Sequence, residues 1–450
     1  MQILKHRPSA GVAPRVGVIF WFWECIFLPA SWILDDNADK NCCFWIAQYN
    51  LRALMRILTV LTYYRPHTSG LTIYAERLAR AMVRRGHTVT VMTTQYDRRL
   101  PRREQMDGVA VERVPVAFRL SKGTISPTFG IAATRLVWAH DVVQLHLPQF
   151  DAPGVAFRGR LFQKPSVLTY HCDLQLPPGV FNRFVNLVVG WQNNLAGILA
   201  DQVVTYTRDY AEHSRYLSRY ARKLRTILPP VELPETTQEA VRAFAAEHRT
   251  AERRPVIGMA ARLAAEKGVE VLLDALPAVL AKYPSAQVLF AGQWQDVMGE
   301  QAYAKRLMPR LRDLERGGHW KFLGNLSPVQ MAAFYPNLNV LVVPSLNSTE
   351  AFGLVQIEAM LNGVPCVASA LPGVRMPVQM HGMGRVAAIG DPASLAEGIL
   401  EVVAQPEKFA GDQASIRAAY DPDKIAEEYE ALFEELLRRK PSRKSVTLRA

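Results

Sequence analysis

From Met55 onward the chain alternates short apolar, largely β-branched runs with longer stretches whose apolar positions recur at helical spacing. Continuous apolar runs suit strands buried on both faces, and helices between them suit crossovers, so the pattern predicts parallel sheets covered by helices. Two series are visible. The first has predicted strands at 56–61, 88–94, 142–147, 166–171 and 202–206, with helices near 71–85, 180–199 and 208–217. It closes at Leu228-Pro229-Pro230-Val231, whose prolines suit a stiff linker. The second has strands at 256–260, 286–291, 339–343 and 365–368, with helices near 267–282, 300–313, 353–362 and 393–404. A last amphipathic helix, about 424–439, follows Asp421-Pro422. The expected fold is therefore α/β, two facing Rossmann-like domains with ligands at the carboxyl ends of strands in the cleft between them. Its expected parts are an amino-terminal domain at 55–231, a linker at 232–254, a carboxy-terminal domain at 255–420, and a helix with a basic tail at 421–450.

Residues 1–54 break this rhythm. The aromatic-rich run from Val16 to Leu34 has nineteen residues and contains Glu24 and Pro29. That length barely spans about 30 Å of hydrocarbon, and an intramembrane carboxylate costs roughly 2.5–3.5 kcal/mol. No small-x-small cleavage pattern clearly follows it. Two readings stay open: a membrane segment at 16–34, or an over-extended start before a working chain that begins at Met55.

With 450 residues, 49% of them hydrophobic, the chain has material for two or three packed cores. Its formal charge of +12 favours an acidic partner, such as a phosphorylated donor or an anionic lipid headgroup. No helix-turn-helix, zinc-finger or aromatic ribonucleoprotein pattern supports nucleic acid as that partner. Five scattered cysteines form neither a disulfide framework nor a Cys-x-x-Cys pair, which suits a reducing cytoplasm. Of the two Asn-x-Ser/Thr triplets, at Asn325 and Asn347, the second lies inside the strongest motif of the chain, against a glycosylated secreted protein.

Three segments carry candidate chemistry. After the first strand, Tyr63-Tyr64-Arg65-Pro66-His67-Thr68-Ser69-Gly70 leads into a helix; a small residue at Gly70 permits close approach of a ligand, although a strand-to-helix turn needs a glycine for itself. Gly258 to Gly268 places Arg262 and Lys267 at a strand end, where two cations neutralise a diphosphate without a metal. As plain surface residues they would sit unfavourably at a helix start. The third segment, Pro344 to Met360, sets Glu350 and Glu358 eight residues apart across Phe352, Gly353, Leu354 and Val355. Helical rise would separate their backbones by about 12 Å, too far for a glycosidase pair, so the two suit different parts of one elongated ligand. The intervening amides would open a helix able to hold phosphate or a developing charge.

This third segment, with Arg262, Lys267 and the Gly70 loop, resembles retaining glycosyltransferases of the GT-B fold, the family 4 enzymes marked by Glu-x7-Glu. The resemblance covers nearly all of 55–437. It implies a nucleotide-sugar donor held at its diphosphate by Arg262 and Lys267, at its ribose by Glu358 and at its sugar by Glu350. The amides from Phe352 to Val355 would take sugar hydroxyls and phosphate. Thr169-Tyr170-His171-Cys172-Asp173 resembles the family's His-x-Asp segment, which implies catalytic positions for His171 and Asp173 beside the anomeric carbon. It further implies front-face transfer with retention, no metal and no other cofactor; the chain contains no Asp-x-Asp triplet suited to a divalent ion. Leu371-Pro372-Gly373-Val374-Arg375 departs from the common Gly-Gly-acidic pattern, leaving Arg375 either a phosphate or acceptor contact or a surface residue. His146 is read as a core histidine, with acceptor contact as the alternative. The acceptor is expected to be read by amino-terminal loops, including Arg98-Arg99 and Arg102-Arg103, and a membrane lipid at the cytoplasmic face is the hypothesis. A nucleotide-sugar epimerase and a non-catalytic nucleotide-sugar-binding protein are the competing functions.

Overall fold

The computed structural model describes residues 54–120, 123–174 and 180–440; the apolar run at 16–34 and the basic tail beyond Lys440 lie outside them. In chain order the first half forms β1 (Arg56–Val60), α1 (Gly70–Arg84), β2 (Thr88–Gln95), β3 (Arg103–Met106), β4 (Val109–Pro115), β5 (Phe118–Leu120), β6 (Gly123–Ile125), α2 (Phe129–Ala139), β7 (Val142–Leu147), α3 (Ala152–Leu161), β8 (Ser166–Tyr170), α4 (Val180–Leu199), β9 (Gln202–Thr205), α5 (Arg208–His213) and β10 (Leu224–Thr226). Eight of these strands make one sheet in the order β10-β9-β8-β7-β1-β2-β4-β3, parallel except for the edge strand β3.

Crossover handedness places the helices. The step from β1 to β2 runs one way across the sheet and puts α1 on one face. The steps β4 to β7, β7 to β8 and β8 to β9 all run the other way, so right-handed crossovers put α2, α3 and α4 together on the opposite face. Those three helices pack side by side.

The second half forms α6 (Gln238–His248), β11 (Val256–Ala260), α7 (Val269–Lys282), β12 (Gln287–Ala291), α8 (Gln301–Arg316), β13 (Trp320–Gly324), α9 (Pro328–Phe334), β14 (Val340–Val343), α10 (Leu354–Met360), β15 (Cys366–Ser369), α11 (Met376–His381), β16 (Gly384–Ala387), α12 (Pro392–Ala404), α13 (Gln413–Tyr420) and α14 (Pro422–Arg439). Its six strands are all parallel, in the order β13-β12-β11-β14-β15-β16. The last helix returns to the first sheet: α14 packs on α1, with the Tyr74 and Tyr429 hydroxyls 2.8 Å apart. One buried apolar cluster is continuous from β1 and β7 to Phe352, Ile357 and Met360, while a second, around Leu272, Phe290 and Trp320, fills the far side of the second sheet.

Local rules explain the elements that carry the site. Ser69 caps α1 by accepting the Thr72 amide at 3.2 Å, and Tyr74, Leu78, Ala81 and Met82 give that helix one buried stripe. The central strands are buried at nearly every position, which is why their apolar runs are unbroken. The pattern does not predict β3, β4, β5, β6, β10, β13 or β16; of these, β3, β10, β13 and β16 lie at edges of the two large sheets, where partial exposure admits polar residues. Arg103, expected in an acceptor-reading loop, is instead in β3, paired with Glu112 of β4.

Candidate active site

Sheet order brings the two strongest motifs together. β11 and β14 are neighbours, so the loops that follow them emerge side by side at the carboxyl edge of the second sheet. Leu346 donates its amide to the Glu266 carbonyl at 2.9 Å, and a Cβ on Gly268, whose φ is +66°, would stand 2.0 Å from the Pro344 oxygen. Only glycine allows that approach. At this junction Lys267 Nζ donates to Glu350 Oε2 at 2.6 Å. Arg262 donates to Glu266 at 3.0 Å and stays largely open. His67 of the first loop has its pKa lowered by burial and, secondarily, by the Arg262 charge, so Arg262 faces the amino-terminal half.

The helix expected near 353–362 is present, but helical rise does not run the whole way from Glu350 to Glu358. Gly353 adopts φ +77° and caps α10, which begins only at Leu354, and the Asn347 side chain accepts the Thr349 amide in a turn before Glu350. Glu350 lies in that preceding loop, so helical rise does not set its distance from Glu358. Its Oε1 also accepts the Gly353 amide at 3.0 Å, which occupies one of the N–H groups expected to be open to ligand. Phe352 is buried against Tyr206 and Tyr420. Leu354 lies 3.9 Å from the position of a Cβ on Gly70, which opens α1 across the cleft.

Glu358 is buried and engaged at both oxygens. Oε1 accepts from Arg77 of α1 at 2.7 Å, and Oε2 accepts from the Tyr335 hydroxyl at 2.7 Å. Arg77 also donates to the Glu232 carbonyl at 2.7 Å, tying the linker to the same point. Through Arg77 the carboxylate bridges the two halves. Arg375 is paired with Asp209 of α5 at 2.5 Å, and the Gly373 amide donates to the same carboxylate at 2.8 Å. A Cβ on Gly373 would meet the Ala351 oxygen at 2.1 Å, so this loop also requires glycine.

The His-x-Asp segment sits at the end of β8. His171 Nε2 pairs with His146 Nδ1 at 2.8 Å, and its Nδ1 bonds the Tyr206 hydroxyl. Both imidazoles are buried, which holds the His171 pKa well below its ordinary value and the His146 pKa at about 3. His171 therefore turns its ring nitrogens inward, and His146 is the core histidine of the sequence reading. Asp173 reaches the seam. Its amide donates to the Ser348 carbonyl at 3.2 Å and to the Tyr210 hydroxyl at 2.7 Å, and its Oδ1 accepts from Tyr170 and Ser214. Arg77, Tyr206, Tyr210, Asp209 and Tyr335 escape sequence reasoning because each acquires its role only from a partner distant in the chain.

Two cavities adjoin this seam. One of about 530 Å³ is polar and lies between Asp173, Ser348, Asn186, His213, Arg215 and Arg219. Another, of about 300 Å³, is mostly apolar and is lined by Tyr63, Leu71, Ile125, Phe150, Val185 and Val188. Asp151 borders it, and burial raises that carboxyl pKa to about 6. No three His, Cys, Asp or Glu side chains among the described residues are grouped to hold a metal.

Two parallel α/β sheets with their loops meeting over one seam define the GT-B class of glycosyltransferases. Solved members share the architecture: HepE from Anabaena, determined with UDP-glucose, aligns at a TM-score of 0.67 and 22% identity over 85% of this chain and all of its own. Sucrose-phosphate synthase from Thermosynechococcus elongatus aligns at 0.66 and 21%, over 86% of this chain and all of its own. Residues 241–416 match Glycosyl transferases group 1, and residues 69–230 match the Glycosyl transferase 4-like domain. The chain belongs to the glycosyl transferases group 1 family and is a glycosyltransferase. Among its relatives, the phosphatidyl-myo-inositol mannosyltransferase of Mycobacterium leprae is 25% identical over 405 residues, 84% of this chain and 96% of that protein. A GDP-mannose-dependent alpha-mannosyltransferase of Mycolicibacterium smegmatis is 26% identical over 397 residues, 84% and 98% respectively.

Proposed function

We propose that this enzyme transfers a hexose, with mannose the first candidate, from a nucleoside diphosphate sugar to a hydroxyl of a lipid-borne acceptor, with retention and without a divalent metal. The Lys267–Glu350 pair carries this reading: a cation and a carboxylate joined at two adjacent strand ends, in the loop whose Ser348 carbonyl accepts the Asp173 amide from the first half. Names of the relatives support a mannosyl donor and an inositol lipid acceptor.

In this reading the donor diphosphate takes Arg262 and Lys267, and Lys267 exchanges part of its bond to Glu350 for a phosphate oxygen. Glu350 then accepts from hydroxyls of the donor sugar. Glu358 takes the ribose hydroxyls at the lone pairs that its Arg77 and Tyr335 bonds leave open. The bond from the anomeric carbon to the phosphate oxygen breaks, and the acceptor oxygen bonds that carbon on the same face. The acceptor proton passes to the departing phosphate, whose growing charge Arg262, Lys267 and the Leu354 and Val355 amides stabilise. Asp173 borders the acceptor side, while His171, bonded at both nitrogens, positions the Cys172-Asp173 segment.

The test is nucleotide release with UDP-, GDP- and ADP-sugars in the presence and absence of phosphatidylinositol vesicles. Acceptor-dependent release of GDP from GDP-mannose is expected, and Lys267→Ala should lower kcat about a hundredfold or more. Full activity in Lys267→Ala would remove the site assignment. Release that ignores the inositol lipid would remove the acceptor assignment.

A further inference from the structure

One face of the first sheet is unlike the rest of the surface. Helices α2, α3 and α4 lie together on it, and each turns large apolar side chains outward: Ile131 and Trp138 on α2, Phe157 and Leu161 on α3, Leu187 and Trp191 on α4. All six are between 54% and 75% exposed. Single exposed apolar residues are ordinary, but pairs on three adjacent helices form a contiguous patch that marks an interaction surface.

Charge identifies the partner. The three helices together hold four arginines, Arg135, Arg158, Arg160 and Arg183, and no aspartate or glutamate; Arg135 is paired with Glu112 of β4, which leaves Arg158, Arg160 and Arg183 as the cations of the rim. Beside α4 runs a short 3-10 turn, Leu217–Lys223, fastened to it by Tyr220 donating to the Asn194 carbonyl at 2.7 Å and by Lys223 donating to the Ile198 carbonyl at 3.2 Å. That turn adds exposed Arg219 and Arg222 and likewise contains no carboxylate. An apolar ridge with two tryptophans, rimmed by cations and free of acidic residues on its own elements, suits the interface of an anionic bilayer: rings and aliphatic groups enter the headgroup boundary while guanidiniums meet lipid phosphates. Residues 1–53 would fit the rim less well, since their five basic and four acidic residues nearly cancel.

We infer that the α2–α3–α4 face docks the enzyme on an anionic membrane surface. The two cavities share Val189 of α4 in their linings, so a docked α4 would stand at the bilayer with both cavities behind it. The inference deepens the lipid-borne acceptor reading, yet vesicles without inositol lipid and without nucleotide test it separately.

The experiment is sedimentation of the full chain with vesicles of phosphatidylcholine and phosphatidylglycerol in equal parts, and with pure phosphatidylcholine. Binding to the mixed vesicles that weakens with added salt is expected. The double variant Leu187→Glu, Trp191→Glu should bind about tenfold more weakly or worse, and Leu187→Met, Trp191→Phe should bind as the parent does. Should the glutamate pair lower the melting temperature, Arg160→Glu with Arg222→Glu carries the same test through the rim. Parent-like binding by both charge-altering variants would overturn the inference and move the attachment to residues 1–53 or another surface. Equal binding to pure phosphatidylcholine would overturn the anionic requirement. A dimer that the glutamate variant dissociates would overturn it in favour of a second copy of the chain.

Discussion

The two faces of the amino-terminal sheet are built on opposite principles. On one, the chain covers itself: α14 lies on α1, Arg85 donates to Glu430 at 2.7 Å, and Arg77 reaches Glu358 on the second half. Buried charge there is always paired. On the other, α2, α3 and α4 have no carboxylate of their own and leave apolar rings in solvent. Ion pairs thus lock the surface the protein closes for itself, whereas exposed apolar groups, on helices that carry arginines but no carboxylates, mark the surface left for something else.

The largest effect should come from breaking the closed face. Arg77→Met leaves the Glu358 carboxylate buried with only Tyr335 as partner, and about 3–5 kcal/mol of unfolding free energy should be lost. Urea unfolding checks this, and adding Glu358→Gln to the same chain should recover much of the loss. If Arg77→Met unfolds like the parent, the bridge is not what holds the halves.

An intermediate effect is expected on the open face, with a pH dependence. Asp151 heads α3 without accepting a capping bond, and burial raises its pKa from 3.8 to about 6. The folded protein therefore binds this proton more tightly than the unfolded chain does. Its favourable contribution is complete below about pH 4 and is lost as pH rises through 6. Asp151→Asn should accordingly stabilise the protein by about 2 kcal/mol near pH 8 and by almost nothing near pH 4, read from melting temperatures at the two pH values. A gain of equal size at both would refute the buried carboxylate.

The smallest effect tests whether pairing matters where it is exposed. Arg84 and Asp423 join α1 to α14 at 3.0 Å but are both substantially open to water. Arg84→Ala should cost about 0.5 kcal/mol or less by urea unfolding, in contrast to Arg77→Met on the same helix. A cost comparable with that of Arg77→Met would mean that burial is not what separates the two pairs.

Much of the fold is legible because parallel strands buried on both faces leave unbroken apolar runs, as in Val142–Leu147 and Val340–Val343. Edge strands such as Arg103–Met106 leave no such run. Helix α3 is illegible for a different reason: Ala152–Leu161 contains Pro153, Gly154 and Gly159, and packing between α2 and α4 overrides that poor intrinsic propensity. At the site, Lys267, Glu350 and Asp173 are readable from motif and strand end, because loops at carboxyl ends of neighbouring strands must converge.

Sequence by itself determined the α/β class, the central strands, the glycosyltransferase motifs and the net positive charge, all properties of residues near one another in the chain. Tertiary structure alone decided that Glu358 bridges to Arg77, that Arg375 pairs with Asp209, that His171 turns inward to His146 and Tyr206, and that three helices share one uncovered face. Each of those depends on groups distant in sequence but adjacent in space, where burial compels a polar group to find a partner and no local pattern says which.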